Sequence, residues 1–137
     1  MRVFLDTNVV VSAAVTTGLC HDLLRLVVNS HELVVSTELL VEVERVLRDE
    51  LNGPPAAIAS VLGTLREAGE AVPAMPLAEV ALKDPADVAI VSAAVNGGAA
   101  VLVTGDKEVL ALGRVGRLDI LSARQFWERL HGLPPSR

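Results

Sequence analysis

The chain has 137 residues, of which 51% are hydrophobic and only 2% aromatic. This length suits one domain with one core, built here mainly from Val, Leu and Ala, and the composition excludes a disordered chain. The single cysteine, Cys20, excludes an internal disulfide and a cysteine metal cage. The net charge of −5 argues at first against a nucleic-acid partner, although the last 31 residues hold six basic and three acidic residues, and the basic ones could meet phosphates.

The N-terminal region predicts a cytoplasmic protein that makes no contact with a membrane. Asp6 and Asn8 interrupt what would be the apolar part of a secretory signal. The longest uncharged stretch, residues 7–20, is shorter than the 18 or so apolar residues that a membrane helix needs.

The first elements in chain order are a strand and two helices. The apolar run at 3–5 predicts a buried strand that ends at Asp6, and Asn8 can cap a helix that continues to residue 13. Gly18 ends this region. Apolar residues at helical spacing then predict a helix over 19–28. Its predicted buried face consists of Leu19, Leu23, Leu26 and Val27.

A second strand and two longer helices follow. The run at 33–35 predicts a strand, after which Ser36 or Thr37 can cap a helix through residue 51. The predicted buried stripe of that helix consists of Leu40, Val43, Leu47 and Leu51. The segment Asn-Gly-Pro-Pro at 52–55 ends it and starts another helix, which runs to Gly69.

The second half of the chain predicts three more strands and three helices. A short strand is expected near 71–74, then a loop or brief helix up to residue 83. Asp84 and Pro85 open a helix to about Asn96. A strand at 100–103, a turn at 104–106, a short helix, a strand at 118–121 and a helix from the cap Ser122 to Leu130 complete the pattern. The tail from residue 134 is expected to fray.

Strands therefore alternate with helices, and the strands are apolar without alternation. This pattern is typical of a parallel sheet that is covered on both faces. We expect a single domain over 1–133 with a three-layer α/β/α fold and a mainly parallel sheet of about five strands.

Several carboxylates follow or lie near the carboxyl ends of the predicted strands. Asp6 follows the first strand, Asp106 follows the strand at 100–103, and Asp87 lies in the first turn of the helix from Asp84. Open parallel sheets bind ligands at this edge. Converging carboxylates repel each other unless a cation is present, and Mg²⁺ or Mn²⁺ prefers such oxygen ligands. A bound ion of this kind can activate a water and neutralise a phosphodiester.

Each acid also has a purely structural interpretation. Asp6 can hydrogen-bond within its own turn, Asp84 and Asp87 match a capping box, and Asp106 can cap the next helix. Glu42 has Arg45 three residues later, which favours a surface ion pair. The residues alone leave both interpretations open.

Four segments, taken together, resemble the motif blocks of PIN-domain nucleases. They are VFLDTNVVVSA (3–13), VSTELLVEVERVL (35–47), KDPADVAIVSAA (83–94) and VLVTGDKEVLAL (101–112). Their order and spacing also match, so the resemblance covers nearly the whole chain. It is strongest with the stand-alone bacterial and archaeal group of VapC-like toxins from toxin–antitoxin pairs.

The resemblance implies a set of site residues and an activity. The implied metal-binding acids are Asp6, Glu42, Asp87 and Asp106, with Asp84 as an auxiliary acid. Asn8 and Thr104 would complete the catalytic set by orienting the ligands or the attacking water. The implied activity is Mg²⁺- or Mn²⁺-dependent cleavage of single-stranded or loop RNA by water. A cognate antitoxin partner and a homodimer are implied as well.

Three other interpretations remain open at this stage. A haloacid-dehalogenase-like phosphatase also begins with a strand followed by Asp, but it needs a second Asp where this chain has Asn8. A phospho-receiver domain needs an acidic pair after its first strand, where this chain has Thr7 beside Asp6. A non-catalytic PIN fold that only binds RNA or protein is the third.

Overall fold

The computed structural model of the protein describes residues 1–72, 75 and 80–135. The elements in chain order are β1 (Arg2–Leu5), α1 (Thr7–Val15), α2 (Leu19–Ser30), β2 (Glu32–Ser36), α3 (Thr37–Arg45), a π-helical turn (Val46–Glu50), α4 (Pro55–Ala68), β3 (Gly69–Val72), α5 (Pro85–Asn96), β4 (Val101–Val103), α6 (Lys107–Leu110), β5 (Arg114–Val115), β6 (Leu118–Leu121) and α7 (Ala123–Leu130). Strands and helices alternate as predicted.

Six strands of the described chain form one sheet in the order β3-β2-β1-β4-β6-β5. Every neighbouring pair is parallel except β5 and β6. Phe4 of β1 is in register with Val34 of β2 on one side and with Leu102 of β4 on the other. The expected number of about five strands omitted β5, because two residues are too few to produce a periodic pattern.

The central strands confirm the three-layer architecture. Val3, Phe4 and Leu5 follow one another in β1, and all three are fully buried. Since successive side chains of a strand point to opposite faces, both faces of the sheet must be covered by helices. The same consecutive burial is found in β4, over Val101–Val103.

The expectation for the helix after β2 was correct at its start and wrong at its end. Ser36 caps α3, with its hydroxyl 3.1 Å from the backbone nitrogen of Leu39. The helix ends at Arg45 and continues only as the π-helical turn, so Leu51 lies beyond it and is 48% exposed. The buried stripe is correspondingly offset from the predicted one: it consists of Leu39, Val43 and Leu47, with Leu40 half-buried.

Two details of the first helices were also wrong. Asp6, not Asn8, caps α1, because its carboxylate accepts a hydrogen bond of 2.7 Å from the backbone N–H of Thr7. Asn8 is instead the second residue of the helix and is exposed. Leu19, the first residue of α2, is exposed, since the first turn of that helix extends past the buried face formed by Leu23 and Val27.

The later elements agree with the sequence more closely. Asp84 caps α5, and Ser122 forms a capping box with Gln125 at the start of α7. Strand β3 begins at Gly69, slightly before the predicted segment at 71–74, of which residues 73 and 74 lie outside the described chain. The loop or brief helix expected before residue 83 lies partly outside it as well, as do the last two residues of the tail.

Among the described residues, no single helix is both long and apolar enough to cross a membrane. Helices α1 and α2 meet the length and composition criteria only when taken together, and they are bent by 104° at the break between them.

Candidate active site

The candidate site lies at the point in the sheet where the strand order reverses. From β1 the chain builds outward to β2 and β3, and it then returns to place β4 on the other side of β1. The parallel strands β1 and β4 end at the same edge of the sheet, so Asp6 and Thr104 emerge side by side. Ligand sites of open α/β sheets lie at such reversal points.

A cavity of about 360 Å³ opens at this edge. Its acidic lining residues are Asp6, Glu38, Glu42, Asp84, Asp87 and Asp106, and the remaining ones are Thr7, Asn8, Ala86, Ala89 and Ile90. The described lining residues include no Lys, Arg or His. The structure therefore brings all five acids predicted from the sequence, and Asn8, to one place.

Burial and two hydrogen bonds fix the side chain of Asp6, which lines the cavity. Its side chain is only 8% exposed, and its two oxygens accept hydrogen bonds of 2.7 Å from the backbone N–H of Thr7 and 2.6 Å from the hydroxyl of Thr104. Burial raises the pKa of Asp6, the negative charge of Asp106 raises it further, and the two hydrogen bonds oppose the rise. Asp6 is thus a fixed carboxylate whose charge the protein stabilises only in part.

Thr104 connects the two central strand ends. It is fully buried, and its hydroxyl donates to Asp6 while accepting a 3.1 Å hydrogen bond from the backbone N–H of Asp106. Thr104 does not line the cavity itself. It positions one site acid and the backbone of another, and its implied role in orienting ligands or water stays a prediction.

Asp87 and Asp106 line the cavity from the starts of two different helices. Asp106 caps α6 through hydrogen bonds from the backbone N–H groups of Glu108 and Val109. Asp87, in the first turn of α5, is half-buried. Burial, and then the negative charges of Asp106, Asp84, Asp6 and Glu108, raise the pKa of Asp87 to about 6. Mutual repulsion among these acids is therefore substantial.

Helix α3 contributes two glutamates, Glu38 and Glu42, to the lining of the cavity. Glu42 lines the cavity, and its carboxylate is paired with Arg45 at 2.7 Å, as the ion-pair interpretation of the sequence expected, while its role as a metal ligand stays a prediction. This pairing lowers the pKa of Glu42. Glu38 was missed, although its spacing of four residues from Glu42 places the two on the same helix face.

The donor chemistry of the cavity suits a hard divalent cation, because carboxylate oxygens are the ligands that Mg²⁺ and Mn²⁺ prefer. Over residues 1–72 and 80–135, however, no three Asp, Glu, His or Cys side chains are close enough together to hold one metal ion. Mg²⁺ usually keeps several waters, which can span such gaps, and the cavity has room for them. The residues therefore fit a hydrated ion better than a closed protein cage.

Comparisons with known proteins agree with this architecture. The chain matches the family model described as PIN domain over residues 2–108. It is 18% identical to a chain in the crystal structure of VapBC2 from Rickettsia felis bound to a DNA fragment from their promoter, with a TM-score of 0.62, and the match covers 88% of this chain and 97% of that one. None of the curated proteins matches. Since the family model spans well over half of its length, the chain belongs to the PIN domain family.

Proposed function

We propose that this protein is an endoribonuclease that depends on Mg²⁺ or Mn²⁺ and uses water to cleave the phosphodiester backbone. The observation that carries the proposal is the cavity at the reversal point of the sheet, with six acids and no described basic residue. Such a cavity repels a polyanion by itself, so a cation is needed before a phosphate can approach.

The chain's own residues divide into ligands and positioning groups in this proposal. Asp6, Asp87, Asp106 and Glu42 would hold the cation, with Asp84 as an auxiliary acid at the rim. Thr104 keeps the Asp6 carboxylate in place, and the exposed Asn8, which lines the cavity, would orient a water or a phosphate oxygen. The bound ion would supply a water of lowered pKa and neutralise charge on the phosphate.

The biological role that we propose is that of a VapC-like toxin neutralised by an antitoxin. The similarity to a chain from the VapBC2 structure supports this role, and the described fold covers nearly all of that chain. RNA is the proposed substrate, a homodimer the proposed assembly, and the cytoplasm the proposed compartment. Membership in the PIN domain family favours this function over the phosphatase and phospho-receiver alternatives.

The test is cleavage of a panel of single-stranded and hairpin RNAs by the metal-stripped protein, before and after addition of Mn²⁺ or Mg²⁺. We expect cleavage only with metal. Asp6→Asn and Asp87→Asn should each lower the cleavage rate by at least about 100-fold. Removing a residue that hydrogen-bonds to a metal ligand already lowers activity, and removing the ligand itself should lower it further. Asp22→Asn, at an exposed acid of α2 outside the cavity, is the matched control.

Two results would contradict the proposal. Full activity of the chelated protein would exclude metal dependence, and normal cleavage by both cavity variants would exclude this site. A protein that binds RNA but cleaves none of the panel with either metal would instead be a non-catalytic binding module.

A further inference from the structure

We infer that Arg45 weakens the binding of a divalent cation in the cavity. Its guanidinium pairs with the carboxylate of Glu42, which is then less available as a ligand, and it also contacts the carboxylate of Glu50. The inference rests on the proposed function, because it concerns the same cavity. It assigns a positioning role to a residue that is outside the cavity lining.

Both oxygens of Glu42 are engaged by Arg45. The Nε atom of Arg45 lies 3.1 Å from Oε2, and its Nη2 atom lies 2.7 Å from Oε1. Two-point pairing of a guanidinium with a carboxylate is stronger and more directional than a single hydrogen bond. In this arrangement Glu42 lines the cavity, but its charge is directed to Arg45.

Arg45 also has a second acceptor, which lies outside the cavity. Its Nη1 and Nη2 atoms both lie 3.4 Å from Oε1 of Glu50. Glu50 is five residues after Arg45, and at this spacing an α-helix would place the two side chains on different faces. The π-helical turn at Val46–Glu50 changes this, because its hydrogen bonds span five residues, as from Leu51 N–H to the carbonyl of Val46.

These contacts define two arrangements that differ only in side-chain rotamers. In one, Arg45 binds Glu42 and Glu50 together, as in the structure. In the other, it binds Glu50 alone, and Glu42 turns to the cavity as a ligand. The side chains of Arg45, Glu42 and Glu50 are 43%, 45% and 57% exposed, so no buried packing opposes the exchange. A cation that takes Glu42 as a ligand competes with Arg45 for the same carboxylate and so favours the second arrangement.

The test is the affinity of the metal-stripped full chain for Mn²⁺, measured by titration calorimetry without RNA. Arg45→Gln should bind Mn²⁺ about two- to five-fold more tightly than the wild type, the range expected from releasing a partly exposed ion pair. Arg45→Lys should be intermediate, since lysine keeps the charge but cannot pair at two points. Arg48→Gln removes a charge that pairs with Glu44 and Asp49, outside the cavity lining, and should bind as the wild type does.

A double-mutant cycle separates a specific effect from a general one. In a Glu42→Gln background, Arg45→Gln should leave the Mn²⁺ affinity unchanged, because Arg45 acts through Glu42. Three results would each overturn the inference while leaving the proposed function intact. They are an equal gain in Mn²⁺ affinity from Arg45→Gln in the Glu42→Gln background, an equal gain for Arg48→Gln, and wild-type affinity for Arg45→Gln. A wild-type protein that binds no Mn²⁺ would overturn both.

Discussion

Thr104 shows how one hydroxyl can determine the geometry of a charged site. It is fully buried between the ends of β1 and β4, and it joins the Asp6 carboxylate to the backbone of Asp106. The hydrogen bond from Thr104 stabilises the charged form of Asp6 against the effect of burial. The position of the most buried acid of the cavity thus depends on a neutral residue that follows another strand, β4.

Replacing Thr104 by Val keeps the shape of the side chain and removes the hydroxyl. We expect the free energy of unfolding to fall by about 1–3 kcal/mol, because a buried carboxylate oxygen and a backbone N–H lose their partner. The pKa of Asp6 should rise further. Urea unfolding and NMR titration of the Asp6 carboxyl carbon measure the two effects. Thr104→Ser keeps the hydroxyl, so an equal loss of stability in that variant would argue against this explanation.

Asp87 makes the stability of the protein depend on pH. Its pKa is raised from 3.8 to about 6, so the folded state binds this proton more tightly than the unfolded state does. For an acid with a raised pKa, the contribution of its protonated form to the free energy of unfolding is fully present below pH 3.8. This contribution is lost as the pH rises to about 6. Above that range the charged side chain destabilises the folded protein.

Asp87→Asn should therefore be more stable than the wild type at pH 7.5 in the presence of a chelator. We expect a gain of about 1 kcal/mol, after discounting the pKa shift for solvent screening at a half-buried side chain. The difference should narrow as the pH falls through 6 and vanish below about 4, where Asp87 is neutral in both states. Urea midpoints at several pH values test this, and a gain that does not change with pH would refute it.

At the scale of elements, three helix starts bring acids into the cavity. Asp6, Asp84 and Asp106 cap α1, α5 and α6, and each also lines the cavity. The structural and functional interpretations of these acids are therefore compatible. Each cap uses one carboxylate oxygen for backbone N–H groups, and in Asp6 the other oxygen also accepts a hydrogen bond, from Thr104. A helix N-terminus stabilises negative charge as well, which offsets some of the repulsion among the acids.

Asp84 allows the two roles to be separated by experiment. Asp84→Asn keeps a good cap at the start of α5 and removes the charge, whereas Asp84→Ala removes both. We expect unchanged stability for the first variant and a loss of about 1 kcal/mol for the second. Both should weaken Mn²⁺ binding if Asp84 is an auxiliary acid. Thermal unfolding and Mn²⁺ titration measure these effects, and wild-type Mn²⁺ affinity in Asp84→Asn would mean that Asp84 is only a cap.

At the scale of the whole molecule, the order of the strands creates the site. The acids belong to segments that are far apart in the chain, from Asp6 to Asp106, and the placement of β2 and β4 on either side of β1 helps to bring them together. Parallel pairing sends the ends of both strands to the same edge. The helices that follow these strands then direct their first turns, with the capping acids, toward one cavity.

Much of this arrangement could be predicted from the sequence, because its signals are local. Short apolar runs identified the buried strands, and Asp84 with Pro85, and Ser122, marked helix starts that the structure confirms. Non-local features were harder to predict. The two-residue strand β5 exists only because it pairs with β6, and Glu38 joins the cavity only because α3 faces it.

The sequence by itself determined the alternating elements, most of the caps and the candidate acids, because these depend on neighbours within a few residues. Only the tertiary structure decided which acids share a cavity and which basic side chains pair with them. Glu42 is the clearest case: its partner Arg45 is visible in the sequence, but the shared contact with Glu50 depends on a π-helical turn. Its position on the cavity wall depends on the packing of α3 at the edge of the sheet, which no local pattern encodes.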